Sequence, residues 1–124
     1  MTTAAVPDWT LGGAGIALQR CSACGTVWYF ERDFCPACGT LEPRRLAAAG
    51  GGVVYATTVV HRAPDDAFRS VAPYRLVLVE LDEGPRVMGH APLDLLLGER
   101  VAVGFREIAG RLLPYFERAA STPR

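Results

Sequence analysis

Downstream of residue 50, the apolar positions of this 124-residue chain fall into five short runs with the signature of β-strands. VVYATTVVH (53–61) is rich in β-branched and aromatic residues, and YRLVLVELD (74–82) is a second, stronger run of the same kind. Between them, RAPDDAFRSVAP (62–73) is polar and proline-containing, and long for a plain hairpin; it reads as a functional loop. Asp82-Glu83-Gly84-Pro85 is a turn leading to a shorter strand, RVMGH (86–90). PLDLLLG (92–98) predicts a short helix, with Pro92 near its start and Gly98 past its end. RVAVGFRE (100–107) alternates, with Val101, Val103 and Phe105 on one face. RLLPYFE (111–117) is the last strand; Pro114 cannot donate a ladder hydrogen bond, which predicts an edge or a bulge there.

Upstream the pattern differs. In the lead, residues 1–19, Pro7 can open a brief helical turn, but Gly12, Gly13 and Gly15 oppose a long helix. Four cysteines follow within residues 20–40, then an Arg-containing connector, LEPRRLAAA (41–49). Gly50, Gly51 and Gly52 mark a boundary or a tight strand entry. The expected division is a lead, cysteine module and connector over residues 1–49, and a β domain with a tail over 50–124. Five strands with a helix between the third and fourth fit the OB-fold, a small Greek-key barrel.

Composition narrows the function. Half the residues are hydrophobic, enough for a packed core. Formal charge is zero, from 13 basic and 13 acidic residues, and every basic residue is Arg. Residues 50–118 carry eight Arg against nine acids. A general nucleic-acid binder needs excess positive charge to displace counterions, so that reading of an OB barrel is disfavoured and kept as the alternative. No apolar run is long enough to span a bilayer, and the first residues lack the marks of a secretory signal. The expected location is the cytoplasm, where thiols stay reduced and four cysteines read as metal ligands rather than disulfides.

Cys21, Cys24, Cys35 and Cys38 form two C-x-x-C pairs separated by ten residues, each followed by Gly. Two intervening residues let a tight turn aim both sulfurs at one ion, and the Gly gives the backbone freedom to turn amides towards them. Two such knuckles make a closed four-thiolate site for structural Zn2+, which leaves no coordination position to activate water. Iron in a rubredoxin-like site uses the same ligands; zinc is preferred because nothing else suggests electron transfer. The spacer between the knuckles, TVWYFERDF (26–34), holds Trp28, Tyr29 and Phe30. A strand shows alternate residues to opposite faces, so the three cannot all enter one small core. Packing within the ribbon and anchoring of another protein are both open to them.

No nucleophile elbow, phosphate loop or dinucleotide fingerprint is present. His61 and His90 each end an apparent strand, and the acid pairs Asp65–Asp66 and Asp82–Glu83 lie in loops or turns. The pattern argues against a stand-alone enzyme.

QRCSACG (19–25), the aromatic spacer ending in FCPACG (34–39), GVVYATTVVHRAP (52–64), APYRLVLVELDEGPRVMGH (72–90) and LPYFE (113–117) together resemble the zinc-ribbon/OB-fold proteins known as domain of unknown function 35. The resemblance implies a mainly β chain, with an N-terminal rubredoxin-like zinc ribbon ahead of a five-stranded OB-fold barrel. It also implies a non-catalytic subunit that docks on a thiolase-fold enzyme (thiolase, acyl-CoA synthase, aldolase or acyltransferase) in a hetero-oligomer. Such a subunit helps shape the tunnel for coenzyme A, meeting acyl-CoA through its partner. Relatives often carry a longer helical segment before the ribbon than the glycine-rich lead seen here. On this reading Trp28, Tyr29, Phe30 and Phe68 are the candidate partner contacts. Arg62 and Arg69 are the candidates for coenzyme A phosphates or partner carboxylates, because Arg pairs well with both.

Overall fold

The structure is a computed structural model that describes residues 6–62, 66–69 and 71–119. The described residues form two sheets. The first has three antiparallel strands, β1 (Ala17–Arg20), β2 (Val27–Trp28) and β3 (Arg44–Ala47), in the order β2-β1-β3. The second is a closed barrel of β4 (Gly51–Val60), β5 (Tyr74–Leu81), β6 (Arg86–Ala91), β7 (Arg100–Ile108) and β8 (Arg111–Arg118). Its strand order, β4-β5-β6-β8-β7, is the OB-fold.

The five barrel strands stand where the apolar runs predict them. In β4 the register shifts between Val54 and Ala56, leaving Tyr55 outside the ladder. That irregularity bends β4 so that its start pairs with β7 and its length with β5. β8 is not an edge strand, contrary to the expectation from Pro114. It ladders with β7 along its whole length and closes the barrel through one parallel bridge, His90 to Tyr115. Pro114 fits because the β6 side of β8 asks for so few hydrogen bonds.

One further expectation is corrected. Residues 92–98 form no helix. Leu95 N–H bonds back to Pro92 O at 3.1 Å, and Gly98 N–H donates to Val54 O of β4 at 2.9 Å rather than to a carbonyl of its own segment. Two successive turns result, and only Leu95 of the leucines points inward, fully buried. The one short helix among the described residues, α1 (Asp66–Arg69), lies instead between the first and second barrel strands. The connector contains a strand: β3 within it pairs with β1 from Ala17↔Ala47 to Arg20↔Arg44. The lead does make a brief turn, a 3-10 segment at Trp9–Leu11, capped by Asp8, whose side chain accepts the Thr10 N–H at 2.9 Å.

The barrel core holds Val54, Val77, Val79, Val87, Val101 and Phe116, and it extends without a break to Ile16 and Leu18 of the ribbon side. β1 therefore serves two interiors. Leu18 enters the barrel core, while its neighbour Gln19 turns into the ribbon. Alternation along one strand thus seats the ribbon on the barrel.

Candidate metal centre and docking groove

The two knuckles are copies of one hexapeptide, CSACGT (21–26) and CPACGT (35–40). Their backbones match bond for bond. Gly25 N–H donates to Cys21 O and Gly39 N–H to Cys35 O, both at 2.9 Å. Both glycines are left-handed, with φ of +80° and +82°, a conformation a side chain would strain. The turn brings amides onto sulfur. Cys21 Sγ accepts from Ala23 N at 3.3 Å and Cys24 N at 3.4 Å, and Cys35 Sγ from Ala37 N at 3.3 Å and Cys38 N at 3.5 Å.

All four sulfurs lie within 4.8 Å of one another. Cys21 and Cys38 Sγ are 3.5 Å apart, and Cys24 and Cys35 Sγ 3.6 Å. A tetrahedral zinc with Zn–S of about 2.3 Å requires S–S separations of about 3.8 Å. The cluster fits that ion closely, and its donor set leaves no open position. The Cys24 amide, above all, lowers the Cys21 thiol to about 6, close to the thiolate zinc requires. Cys24 is lowered chiefly by the Thr26 hydroxyl. At Cys38 the Thr40 hydroxyl also favours the thiolate, but the Cys21 and Cys24 sulfurs oppose another charge and the net shift is upward. Arg20 and Arg44 face each other across β1 and β3 beside the first knuckle, offsetting the net negative charge of a zinc tetrathiolate.

The spacer aromatics do not share one core, but they do not follow strand alternation either: β2 ends at Trp28, and Tyr29 and Phe30 lie beyond it. Trp28, expected among the partner contacts, is buried in the ribbon's own core with Cys21 and Cys35. Phe30 is 71 % exposed, and Tyr29 lies half-buried between them, stacked on Phe30 with ring centroids 4.3 Å apart. Trp9 Nε1 donates to the Tyr29 hydroxyl at 2.8 Å, fixing the lead against the spacer.

Tyr29, Phe30 and Phe68 converge on one apolar groove of about 560 Å³ between ribbon and barrel. The barrel's contribution is the outer face of β5 and β6, where Leu76 stands opposite His90 and Leu78 opposite Met88. Phe68 of α1 stacks on His90 at 5.9 Å, and Tyr74 lies 5.0 Å from the same ring. Burial lowers the His90 pKa, because it disfavours the charged imidazolium. Arg86 is the one basic residue among the described lining, and its guanidinium sits over Tyr55 at 3.6 Å. Arg62 and Arg69 are exposed and do not line the groove; Arg69 pairs with Asp66 at 2.8 Å.

Sequence reading missed Trp9, Leu76, Leu78, Met88 and His90 as groove residues. One signal was present: β5 is apolar at both alternating sets of positions, as strands covered on both faces are. Thr26 and Thr40 were missed as well, and their signal was the repeated hexapeptide.

This architecture defines a zinc-ribbon/OB-fold protein. Residues 16–44 match the model of the ChsH2 rubredoxin-like zinc ribbon domain, and residues 46–106 that of the ChsH2 C-terminal OB-fold domain. The chain belongs to this family, the zinc-ribbon/OB-fold proteins of domain of unknown function 35. A DUF35 domain-containing scaffold protein of Methanocaldococcus jannaschii is 40 % identical over 94 residues, covering 72 % of this chain and 66 % of that protein. A probable enoyl-CoA hydratase alpha subunit of Thermomonospora curvata is 38 % identical over 109 residues, 84 % of this chain but 34 % of that one. The chain thus spans about two thirds of the first relative and one third of the second. The solved structure of an Ltp2-ChsH2(DUF35) aldolase superposes with a TM-score of 0.72 at 34 % identity, covering 86 % of both chains. Among the described residues no helix is long and apolar enough to cross a membrane.

Proposed function

We propose that this chain is a non-catalytic accessory subunit that docks on a thiolase-fold enzyme and helps form or stabilise its acyl-CoA site. The observation that carries the reading is the groove. Three residues singled out from sequence as partner contacts, drawn from the ribbon and from a barrel loop, line one apolar surface with Phe30 exposed at its rim. A zinc-stapled ribbon presents these rings with little ordering cost on binding. The apolar face with a single arginine suits a protein partner's apolar side chains better than a polyanion. The relatives named as a scaffold protein and as an aldolase complex support assembly with an enzyme.

On this reading Tyr29, Phe30 and Phe68 make the interface, and Trp28 supports it from within the ribbon. Arg62 and Arg69, both exposed, are the residues we assign to coenzyme A phosphates or partner carboxylates once the enzyme is docked. Residues 1–49 and 50–124 act as ribbon and barrel modules of one cytoplasmic subunit. The zinc site is closed and all four thiols are committed to it, so the chemistry belongs to the partner.

The test is isolation of the native complex on the tagged chain, with identification of the bound subunit. A thiolase-fold enzyme is expected with the wild type and is expected to be lost with Phe30→Ala or Phe68→Ala. Thiolysis or condensation of acyl-CoA by the pure chain, free of any partner, refutes the reading.

A further inference from the structure

We propose that the hydroxyls of Thr26 and Thr40 hold the two exposed thiolates of the zinc centre and set how tightly the ion is kept. The four ligands are not equivalent. Cys21 and Cys35 are buried and each accepts two backbone N–H groups, whereas Cys24 and Cys38 are exposed. Each exposed sulfur has a threonine hydroxyl at 3.1 Å, Thr26 Oγ1 on Cys24 and Thr40 Oγ1 on Cys38. With zinc bound the sulfur is a thiolate, so the hydroxyl is the donor.

The placement follows from the turn. After the left-handed Gly25, the Thr26 carbonyl accepts the Cys21 N–H at 2.9 Å; after Gly39, the Thr40 carbonyl accepts the Cys35 N–H at 2.9 Å. That bond locks the backbone of each threonine beside its knuckle. The β-branched side chain then has little rotamer freedom, and its hydroxyl is held towards the sulfur. The same geometry arises twice, from the two copies of C-x-A-C-G-T, which makes a chance contact a poor account of it.

The exposed thiolates are the ones a competing chelator or a proton reaches first. Partners of metal ligands orient them and tune their hold on the ion, and losing one costs about ten- to hundredfold in metal affinity. A hydroxyl donor to Cys24 and Cys38 does for the open side of the site what the paired amides do for the buried side.

The experiment compares Thr26→Val, Thr40→Val and the double variant with the matching Thr→Ser variants. Zinc affinity is read by competition with a chromogenic chelator, and folding by thermal melting of the zinc-loaded chain. Valine keeps the branched shape and removes the donor; serine keeps the donor and removes the methyl. Each valine change is expected to weaken zinc binding by about tenfold or more, with serine close to wild type. Valine variants that purify without zinc while serine variants carry it give the same answer. Valine variants that hold zinc like the wild type overturn the proposal. So do serine variants as weakened as valine, because the methyl group would then be the cause.

Discussion

Inside the ribbon, Trp28 donates its indole N–H to the Gln19 side-chain oxygen at 2.6 Å, and the same oxygen accepts the Arg32 backbone N–H at 2.7 Å. One buried amide thus ties β1, β2 and the spacer together beside two zinc ligands. An indole N–H taken out of water needs such a partner. This bond also decides which spacer aromatic faces outward, because Trp28 and Phe30 are two positions apart yet have opposite surroundings.

Stability and assembly should therefore separate at these two positions. Trp28→Ala is expected to cost about 3–5 kcal/mol and to loosen zinc. Phe30→Ala is expected to cost about 1 kcal/mol, with zinc content unchanged, while assembly with the partner fails. Denaturant unfolding with metal analysis of both variants checks this. Equal destabilisation by the two changes would place both rings in the core.

Removing the metal tests the ribbon in another way. Stripping zinc, or changing Cys21 to Ser, should abolish the near-ultraviolet circular dichroism that Trp28 and Tyr29 acquire from fixed packing. A structural four-thiolate zinc contributes about 10–16 kcal/mol of apparent binding energy, more than so small a module can replace by core packing. A metal-free chain with the same near-ultraviolet spectrum and four free thiols would contradict a structural role.

The barrel carries a pH-dependent pair. Arg118 bonds Glu99 through Nε at 2.5 Å and Nη2 at 2.9 Å, and Leu96 N–H adds a third donor at 2.7 Å. Arg118 first, then the Leu96 amide, lowers the Glu99 carboxyl from 4.5 to about 2. A carboxyl depressed on folding stabilises the protein fully above its unfolded value and loses that contribution as pH falls through the folded one. Glu99→Gln should lower the melting temperature at pH 7, by a few degrees at most because the pair is solvent-screened. The gap to wild type should close as pH falls from 4.5 towards 2. A gap that persists at pH 2 would assign the effect to packing.

Gly89 is a barrel position with no space for a side chain. A Cβ there would lie 2.7 Å from the Phe116 ring, which is fully buried, and 3.0 Å from the Pro114 carbonyl. Neither neighbour has room to withdraw. Gly89→Ala is expected to cost about 1–3 kcal/mol, measured by denaturant unfolding. A melting temperature equal to wild type would show that Phe116 has an alternative rotamer.

Much of this chain is legible before folding, because its signals are local. The spacing of Cys21, Cys24, Cys35 and Cys38 specifies a four-thiolate site, since two knuckles at short range need little else to meet. The five barrel strands follow from β-branched runs broken by turn residues such as Asp82-Glu83-Gly84-Pro85. That Trp28, Tyr29 and Phe30 cannot all enter one small core follows from the strand period, although the division itself does not, because β2 ends at Trp28.

The remainder depends on partners distant in the chain. Residues 92–98 carry helix signals, but Gly98 N–H finds Val54 O across the barrel and Leu95 fills the interior, so turns replace the helix. Pro114 reads as an edge residue, yet closure of the barrel leaves β8 with one bridge on its β6 side and no demand there for the missing donor. Which aromatic of the spacer turns inward rests on Gln19, nine residues away. The groove is drawn from three stretches of chain, with Trp9 from the lead, Tyr29 and Phe30 from the ribbon, and Phe68, Leu76, Met88 and His90 from the barrel. The shared core at Ile16 and Leu18, which seats ribbon on barrel, brings those stretches to one surface.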